Sequence, residues 1–271
     1  MPSPVALVHG FATSSARTWG DNGWLDLLAD AGRSTIPIDL LGHGTADKPH
    51  EPSAYDAMEE RVAAQLPTET VDAIGFSLGA RVLLTLASDQ PERFGRLVLT
   101  GVGANLLRQE GSDVILRAIE GEGDPTNPVI QYFAGLADQP GVDRVALGVG
   151  RNLFQPENSG LVLAAFDGTG DPANPVTQYF RRLAEHPDVD REALAACMRS
   201  SRPPLTPEVL RAVTVPVLVV VGDRDFAGPG EPLVESLPDA RLVTLRGVDH
   251  FATPKDFGAI DAALRFIDAS P

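Results

Sequence analysis

Val71-Asp72-Ala73-Ile74-Gly75-Phe76-Ser77-Leu78-Gly79, with the helix-compatible stretch Ala80 to Ala87 behind it, decides how this chain is read. Val71 to Ile74 suits a buried strand. A strand that turns tightly into a helix holds one residue in a strained conformation, and glycines two before and two after it relieve the crowding. That residue is Ser77. Its hydroxyl is expected at the carboxyl end of a parallel strand, where the N–H groups opening the next helix point toward developing negative charge. Gly-x-Ser-x-Gly carries little information alone; the strand before it and the helix after it supply the meaning.

Working outward, short aliphatic runs alternate with longer amphipathic ones. Val5 to Val8, Ser34 to Ile38, Val71 to Ile74, Leu97 to Thr100, Val217 to Val221 and Leu242 to Leu245 read as six buried parallel strands. Helices are expected over Gly23 to Ala31, Tyr55 to Gln65, Leu78 to Ser88, Pro207 to Val213, Glu231 to Leu237 and Pro254 to Ala269. The alternation predicts an α/β fold, a doubly wound and mainly parallel sheet of about six strands.

From about Asn105 to Pro204 the strand signal disappears and an internal duplication takes its place. Gly121-Glu122-Gly123-Asp124-Pro125-Thr126-Asn127-Pro128-Val129 recurs as Gly168-Thr169-Gly170-Asp171-Pro172-Ala173-Asn174-Pro175-Val176, and about 18 of 28 positions agree between 120–147 and 167–194. Each copy reads as a helical hairpin: Asn127 or Asn174 caps a helix starting at Pro128 or Pro175, Pro140 or Pro187 ends it, and Asp143 or Asp190 caps the next. Two copies are too few for a solenoid core, so a lid over the sheet is expected. The aromatic pairs Tyr132-Phe133 and Tyr179-Phe180 pack between lid helices or line a substrate pocket.

A chain of 271 residues, 43% apolar and 22% charged, can bury one large core with an insertion. The net charge of −15 argues against nucleic acid and anionic membrane surfaces, both of which need clustered basic groups. Cys197 is the only cysteine, which rules out an intrachain disulfide or a cysteine metal cluster. No export signal or apolar run near 20 residues is visible, so a cytoplasmic protein without a membrane span is expected.

Serine needs a base to become a nucleophile at neutral pH, normally a histidine oriented by a carboxylate. His250 follows the last strand, in Gly247-Val248-Asp249-His250-Phe251, and comes to the edge where Ser77 stands. The acid should follow the preceding strand, where Gly222-Asp223-Arg224-Asp225 offers two carboxylates. Asp225 lies far enough on to reach back to the imidazole; Asp223 suits the turn or Arg224, and Asp249 the loop. For an oxyanion, Leu78 provides one backbone N–H and Phe11 the other, with Gly10 letting the backbone approach. His9 reads as a loop brace. His9, His43, His50 and His186 lack metal-ligand spacing, so no metal or other cofactor is expected.

These residues give the chain a resemblance to the α/β-hydrolase superfamily, carried by His9-Gly10-Phe11, Asp39-Leu40-Leu41-Gly42-His43-Gly44, the Ser77 elbow, Gly222-Asp223-Arg224-Asp225 and Asp249-His250. The order Ser, Asp, His also fits. The resemblance covers about 1–104 and 205–271 and implies that the insertion, 105–204, is a helical cap. It also implies a structural role for His43. One departure stands out: the chain begins at what is the third strand in that family, leaving a sheet without the first antiparallel hairpin.

The activity implied is hydrolysis of a small carboxylic ester or thioester through an acyl-enzyme on Ser77. A lyase on the same triad is a second reading, since Gly75 to Arg81 is similar to the elbow of the menaquinone-pathway synthase, in which case Arg81 binds an anionic substrate. Carbon–carbon bond hydrolases and perhydrolases are also relatives, and a non-catalytic receptor using the duplicated lid is a reading from another class. Trp19 packs under the Phe11 loop or lines its pocket. The pocket expected from sequence therefore draws on Trp19, Arg81, Tyr132, Phe133, Tyr179 and Phe180.

Overall fold

Six mostly aliphatic runs pair into one sheet: the four inner ones are largely buried, where a strand's backbone is satisfied only by a neighbouring strand, while the two at the edges, 35–38 and 240–245, are only partly covered, against the expectation of six buried strands. The computed structural model describes residues 2–107, 163–166, 168–173, 177, 180–181, 189–200 and 202–269. The strands are β1 Val5–Val8, β2 Thr35–Ile38, β3 Val71–Phe76, β4 Phe94–Thr100, β5 Val217–Gly222 and β6 Ala240–Leu245. Their order in the sheet is β2-β1-β3-β4-β5-β6, and every pair is parallel.

Strand periodicity divides the core between the two faces. Val5 and Leu7 join Ile74, Val98, Leu218 and Val220 on one face, beneath α1 (Trp24–Asp30) and the C-terminal helix. Ala6 and Val8 join Ala73, Leu97, Leu99, Val217 and Val219 on the other. This second face is covered by α2 (Met58–Ala63), α3 (Leu78–Asp89), α5 (Pro207–Ala212) and α6 (Glu231–Ser236). The remaining helices are α4 (Arg191–Arg199) and α7 (Phe257–Phe266).

Two expected helices break where capping and burial outweigh periodicity. The Tyr55 to Gln65 helix becomes a 3-10 turn, Pro52–Tyr55, followed by α2. Tyr55 is buried and donates to Pro49 O at 2.7 Å, and Ala57 leaves helical geometry at φ −122°, ψ 49°. The Pro254 to Ala269 helix splits similarly into Thr253–Lys255 and α7. Asp256 starts α7 by accepting from Gly258 N–H at 2.8 Å and Ala259 N–H at 3.1 Å, an N-cap that only an extended residue can make. Between β1 and α1 lies a five-residue π-helix, Ala16–Gly20, that periodicity did not indicate.

From β1 the chain moves to β2 on one side and then returns past β1 to β3 on the other. In an open parallel sheet such a reversal leaves a crevice at the carboxyl ends of the two strands, here β1 and β3. Phe11 and Ser77 follow those two ends. Described residues of the insertion pack above them: Ala165, Phe166, Phe180, Leu194, Ala195 and Met198 form a cluster with Phe11, Ala12 and Phe226. Tyr132, Phe133 and Tyr179 lie outside the described residues, as do the first repeat copy, 120–147, and nearly half of the second, 167–194.

Candidate active site

Ser77 sits at φ 52°, ψ −111°, a conformation that L-residues rarely adopt. β3 runs without interruption into Phe76, and α3 begins at the very next residue after Ser77. The strand β4 holds the turn from the side: Ser77 N–H donates to Thr100 O at 2.9 Å and Thr100 Oγ1 donates to Gly75 O at 3.0 Å. Gly75 and Gly79 are dictated by packing. A Cβ on Gly75 would fall 2.6 Å from Ala80 Cα, and one on Gly79 would strike the backbone oxygen of Val8. Because Leu78 is the first residue of α3, its N–H has no partner within the helix.

His250, in the loop after β6, reaches Ser77 across the sheet edge. Its Nε2 lies 3.0 Å from Ser77 Oγ, and its Nδ1 lies 2.9 and 3.0 Å from the two oxygens of Asp225. A carboxylate only accepts, so Nδ1 carries the proton and Nε2 presents its lone pair to the serine. Asp225 Oδ1 also accepts from Ala227 N–H at 2.8 Å, which fixes the carboxylate in the turn after β5. All three side chains are buried. The neighbouring carboxylates are engaged elsewhere: Asp223 accepts from Gly247 N–H at 2.7 Å and Asp249 from Ala252 N–H at 2.8 Å.

Aromatic rings fix the plane of the imidazole. Phe226 lies at 4.1 Å and Phe76 at 4.9 Å between ring centroids, both tilted by about 35°, while Phe251 meets the ring edge-on at 5.5 Å. Sequence reading did not single out these three. Their only signal is position, next to Ser77, Asp225 and His250.

The loop after β1 is braced by buried histidines. His9 Nδ1 donates to Gly10 O at 2.7 Å, and its Nε2 accepts from Leu40 N–H at 3.0 Å, so both ring nitrogens are committed. Burial lowers the His9 pKa to about 4, against weaker support from Gly10 and Asp39. His43 donates from Nδ1 to Leu41 O at 2.9 Å; burial first, then His9, lower its pKa to about 3. Both are neutral imidazoles at pH 7 and serve as rigid spacers. Asp39 ties β2's exit to the same loop by accepting from Ser15 N–H and Thr45 N–H, each at 2.8 Å. Gly10 then passes close to the elbow, since a Cβ there would lie 2.8 Å from Phe76 and 3.3 Å from the Ser77 Cβ.

A cavity of about 140 Å³ opens over Ser77 and His250. Phe11, Phe76, Phe180, Phe226, Phe251 and Pro254 form its apolar wall; Thr13, Arg17, Thr18 and Asn22 form its polar wall. Of the pocket residues expected from sequence, Phe180 lines it and two others do not. Trp19 is wholly buried, edge-on to Trp24 at 5.3 Å and packed with Val5 and Leu7 under the sheet. The π-helix turns Arg17, two residues earlier, toward the cavity instead. Arg81 is also elsewhere: its guanidinium donates to Pro203 O and ties α3 to the segment before α5. Burial first and Arg202 second lower the Arg81 pKa to about 10.

The protein is an open parallel α/β sheet with a strained serine, a hydrogen-bonded histidine and a buried aspartate gathered at its carboxyl edge. The chain belongs to the alpha/beta hydrolase family, whose model matches residues 5–260. Over 100 residues it is 35% identical to a Bacillus subtilis (strain 168) protein provisionally named 2-succinyl-6-hydroxy-2,4-cyclohexadiene-1-carboxylate synthase, covering 35% of each chain. Over 110 residues it is 36% identical to the pimeloyl-[acyl-carrier protein] methyl ester esterase of Neisseria meningitidis serogroup C, covering 39% of each. The matched stretch thus spans well under half the length of these relatives. Among solved structures it is similar to the esterase EaEST from Exiguobacterium antarcticum, with a TM-score of 0.64, 20% identity and coverage of 98% of this chain and 92% of that one. At that identity the likeness shows the fold.

Proposed function

We propose that the protein is a serine hydrolase that cleaves a carboxylic ester or thioester through an acyl-enzyme. The observation that carries this reading is the continuous hydrogen-bonded path Asp225–His250–Ser77, with 3.0 Å from His250 Nε2 to Ser77 Oγ. His250 takes the Ser77 proton as Oγ attacks the substrate carbonyl carbon, and Asp225 stabilises the imidazolium that results. The N–H groups of Phe11 and Leu78 receive the oxyanion of the tetrahedral intermediate. His250 then gives its proton to the departing alkoxide or thiolate. In the second half-reaction it takes a proton from water, whose oxygen attacks the acyl carbon, and returning that proton to Oγ frees the carboxylic acid and Ser77. The chemistry needs no metal or organic cofactor. Residues 105–204 act in this reading as a cap that bounds the pocket, supported by the packing of Phe166 and Phe180 on Phe11.

The test is labelling by an activated fluorophosphonate, followed by turnover of nitrophenyl esters of graded acyl length beside acyl thioesters. Labelling abolished by Ser77→Ala, with hydrolysis of one ester series, is expected. Folded wild-type protein that neither labels nor turns over any ester or thioester overturns the reading.

A further inference from the structure

Among the described residues Arg17 is the cation of the pocket wall, and the structure leaves part of it unmatched. Its Nη2 is buried with no hydrogen-bond partner among the described residues. The chain carries 37 carboxylates against 22 basic side chains, and Arg33, Arg96, Arg211 and Arg265 are each paired with an aspartate or glutamate. Among the described residues Arg17 has no such ion pair, and the polar groups sharing its wall, Thr13, Thr18 and Asn22, are neutral. A buried guanidinium donor left without an acceptor is costly, more so than a neutral one.

The backbone beneath Arg17 is held in place. The π-turn closes with Asp21 N–H donating to Ala16 O at 2.9 Å, and Asn22 Nδ2 donates to Arg17 O at 3.1 Å and Thr18 O at 3.0 Å. π-helical turns are uncommon, and they occur often where a side chain serves a functional site. Here the turn sends Trp19 into the core and Arg17 into the cavity that holds Ser77 and His250.

We infer that Arg17 is a specificity-determining residue that pairs with a free carboxylate on the substrate, so that the preferred ester is a short one bearing a second, ionised acid group. This rests on the reading of Ser77 as an acylated nucleophile. A planar guanidinium fork matches a carboxylate in geometry as well as charge. The apolar wall of Phe11, Phe76, Phe226 and Phe251 then takes the carbon chain between the two polar ends. The space above Ser77, about 140 Å³, is close to the size that elsewhere holds a benzene ring and suits a chain of a few carbons.

Two matched pairs test it: 4-nitrophenyl hemisuccinate against 4-nitrophenyl butyrate, and 4-acetoxybenzoate against phenyl acetate. In wild type the acidic member of at least one pair is expected to have the higher kcat/KM. In Arg17→Met the acid-to-neutral ratio is expected to fall about ten- to hundredfold, through KM more than kcat, with partial recovery in Arg17→Lys. A general loss of fold or activity lowers both members together and leaves the ratio alone. Calorimetry on Ser77→Ala protein with monomethyl succinate and dimethyl succinate makes the outcome independent of turnover. Binding of the monoacid that is lost in Ser77→Ala/Arg17→Met supports the inference even if no ester is hydrolysed. An unchanged ratio in Arg17→Met, or no preference of the Ser77→Ala protein for the monoacid, overturns it while leaving the hydrolase reading to its own test.

Discussion

His250 Nε2 stands 3.0 Å from Ser77 Oγ although 173 residues separate them, and the sheet accounts for the distance closed. β3 and β5 flank β4 with all strands parallel, so the turn after β3 and the loops after β5 and β6 open on one edge. Asp225 comes from the second of these and holds the far nitrogen of the same ring. Replacing Asp225 by Asn keeps the shape, but its amide can offer Nδ1 a donor and favour the wrong tautomer. A loss of about 10⁴-fold in kcat is expected for Asp225→Asn, from the size of that effect in other serine triads. Asp223→Asn, at a carboxylate that accepts from Gly247 N–H while Asp225 holds the imidazole, should change kcat by less than about fivefold on the same nitrophenyl ester. Equal losses in the two variants would reassign the acid.

The elbow makes a steric prediction. A methyl at Gly79 meets the backbone oxygens of Val8 and His9, which cannot rotate away as a side chain could. Gly79→Ala is therefore expected to cost about 1–3 kcal/mol of stability, read as a lower urea midpoint, because relief requires β1 and α3 to separate. The same movement carries Ser77 away from His250, so the rate of fluorophosphonate labelling should fall even where the variant is fully folded. Wild-type labelling in a folded Gly79→Ala protein contradicts the tight-elbow account.

Much of the core was legible because β1 and β5 are continuous aliphatic runs and β3 is apolar apart from Asp72, all three buried on both faces, a pattern that survives without knowledge of neighbours. Ser77, Asp225 and His250 were legible for a related reason: each follows a strand end, and parallel strands deliver their ends to one edge. What could not be read depends on which way a side chain turns. Arg17 and Trp19 lie two apart in a five-residue π-helix, too short to show any period, and the sequence pointed to Trp19 for the pocket where the structure places Arg17. Phe226 and Phe251 clamp His250 from two different loops, and no spacing within either loop announces that meeting. Tyr55 and Asp256 redirect their helices by burial and by capping, both of which outweigh local propensity.

A buried ion pair on the face beneath α1 and α7 supports a stability prediction. Arg33 Nη2 contacts Asp72 Oδ2 at 2.5 Å, and Arg33 also donates to Ser3 O at 2.7 Å and to Ile267 O. Both side chains are largely buried, so Arg33→Met strands the Asp72 carboxylate without a counter-charge and leaves those carbonyls unmatched. A destabilisation of about 3–5 kcal/mol in urea unfolding is expected. Arg33→Met/Asp72→Leu removes the stranded charge as well and should recover part of that loss. Additive penalties in the double variant contradict the pairing account.

The braced histidines set a pH dependence whose sign follows from their burial. His9 and His43 have pKa values lowered from 6.5 to about 4 and about 3, with desolvation the largest cause in each. In the unfolded chain both take up protons near pH 6.5, while the folded protein holds them neutral. From about pH 6.5 down to 4 the unfolded state therefore binds more protons, and stability falls with falling pH by at most about 1.4 kcal/mol per unit for each histidine. Above pH 7 their contribution is flat. Asp39, whose pKa is lowered despite its desolvation, by hydrogen bonds from Thr45 and Ser15, stabilises above its unfolded value near 3.8 and loses that contribution only below this window. His50 acts in the opposite sense: the Asp190 hydrogen bond raises its pKa, so its contribution is complete below 6.5 and is lost as pH rises through the folded value. Urea midpoints measured from pH 4 to 8 should thus drop steeply below 6.5. His43→Asn should flatten that slope by up to about 1.4 kcal/mol per unit even if it lowers the plateau, because the variant has no imidazole to protonate on unfolding. A slope unchanged in His43→Asn would place the acid sensitivity in other groups.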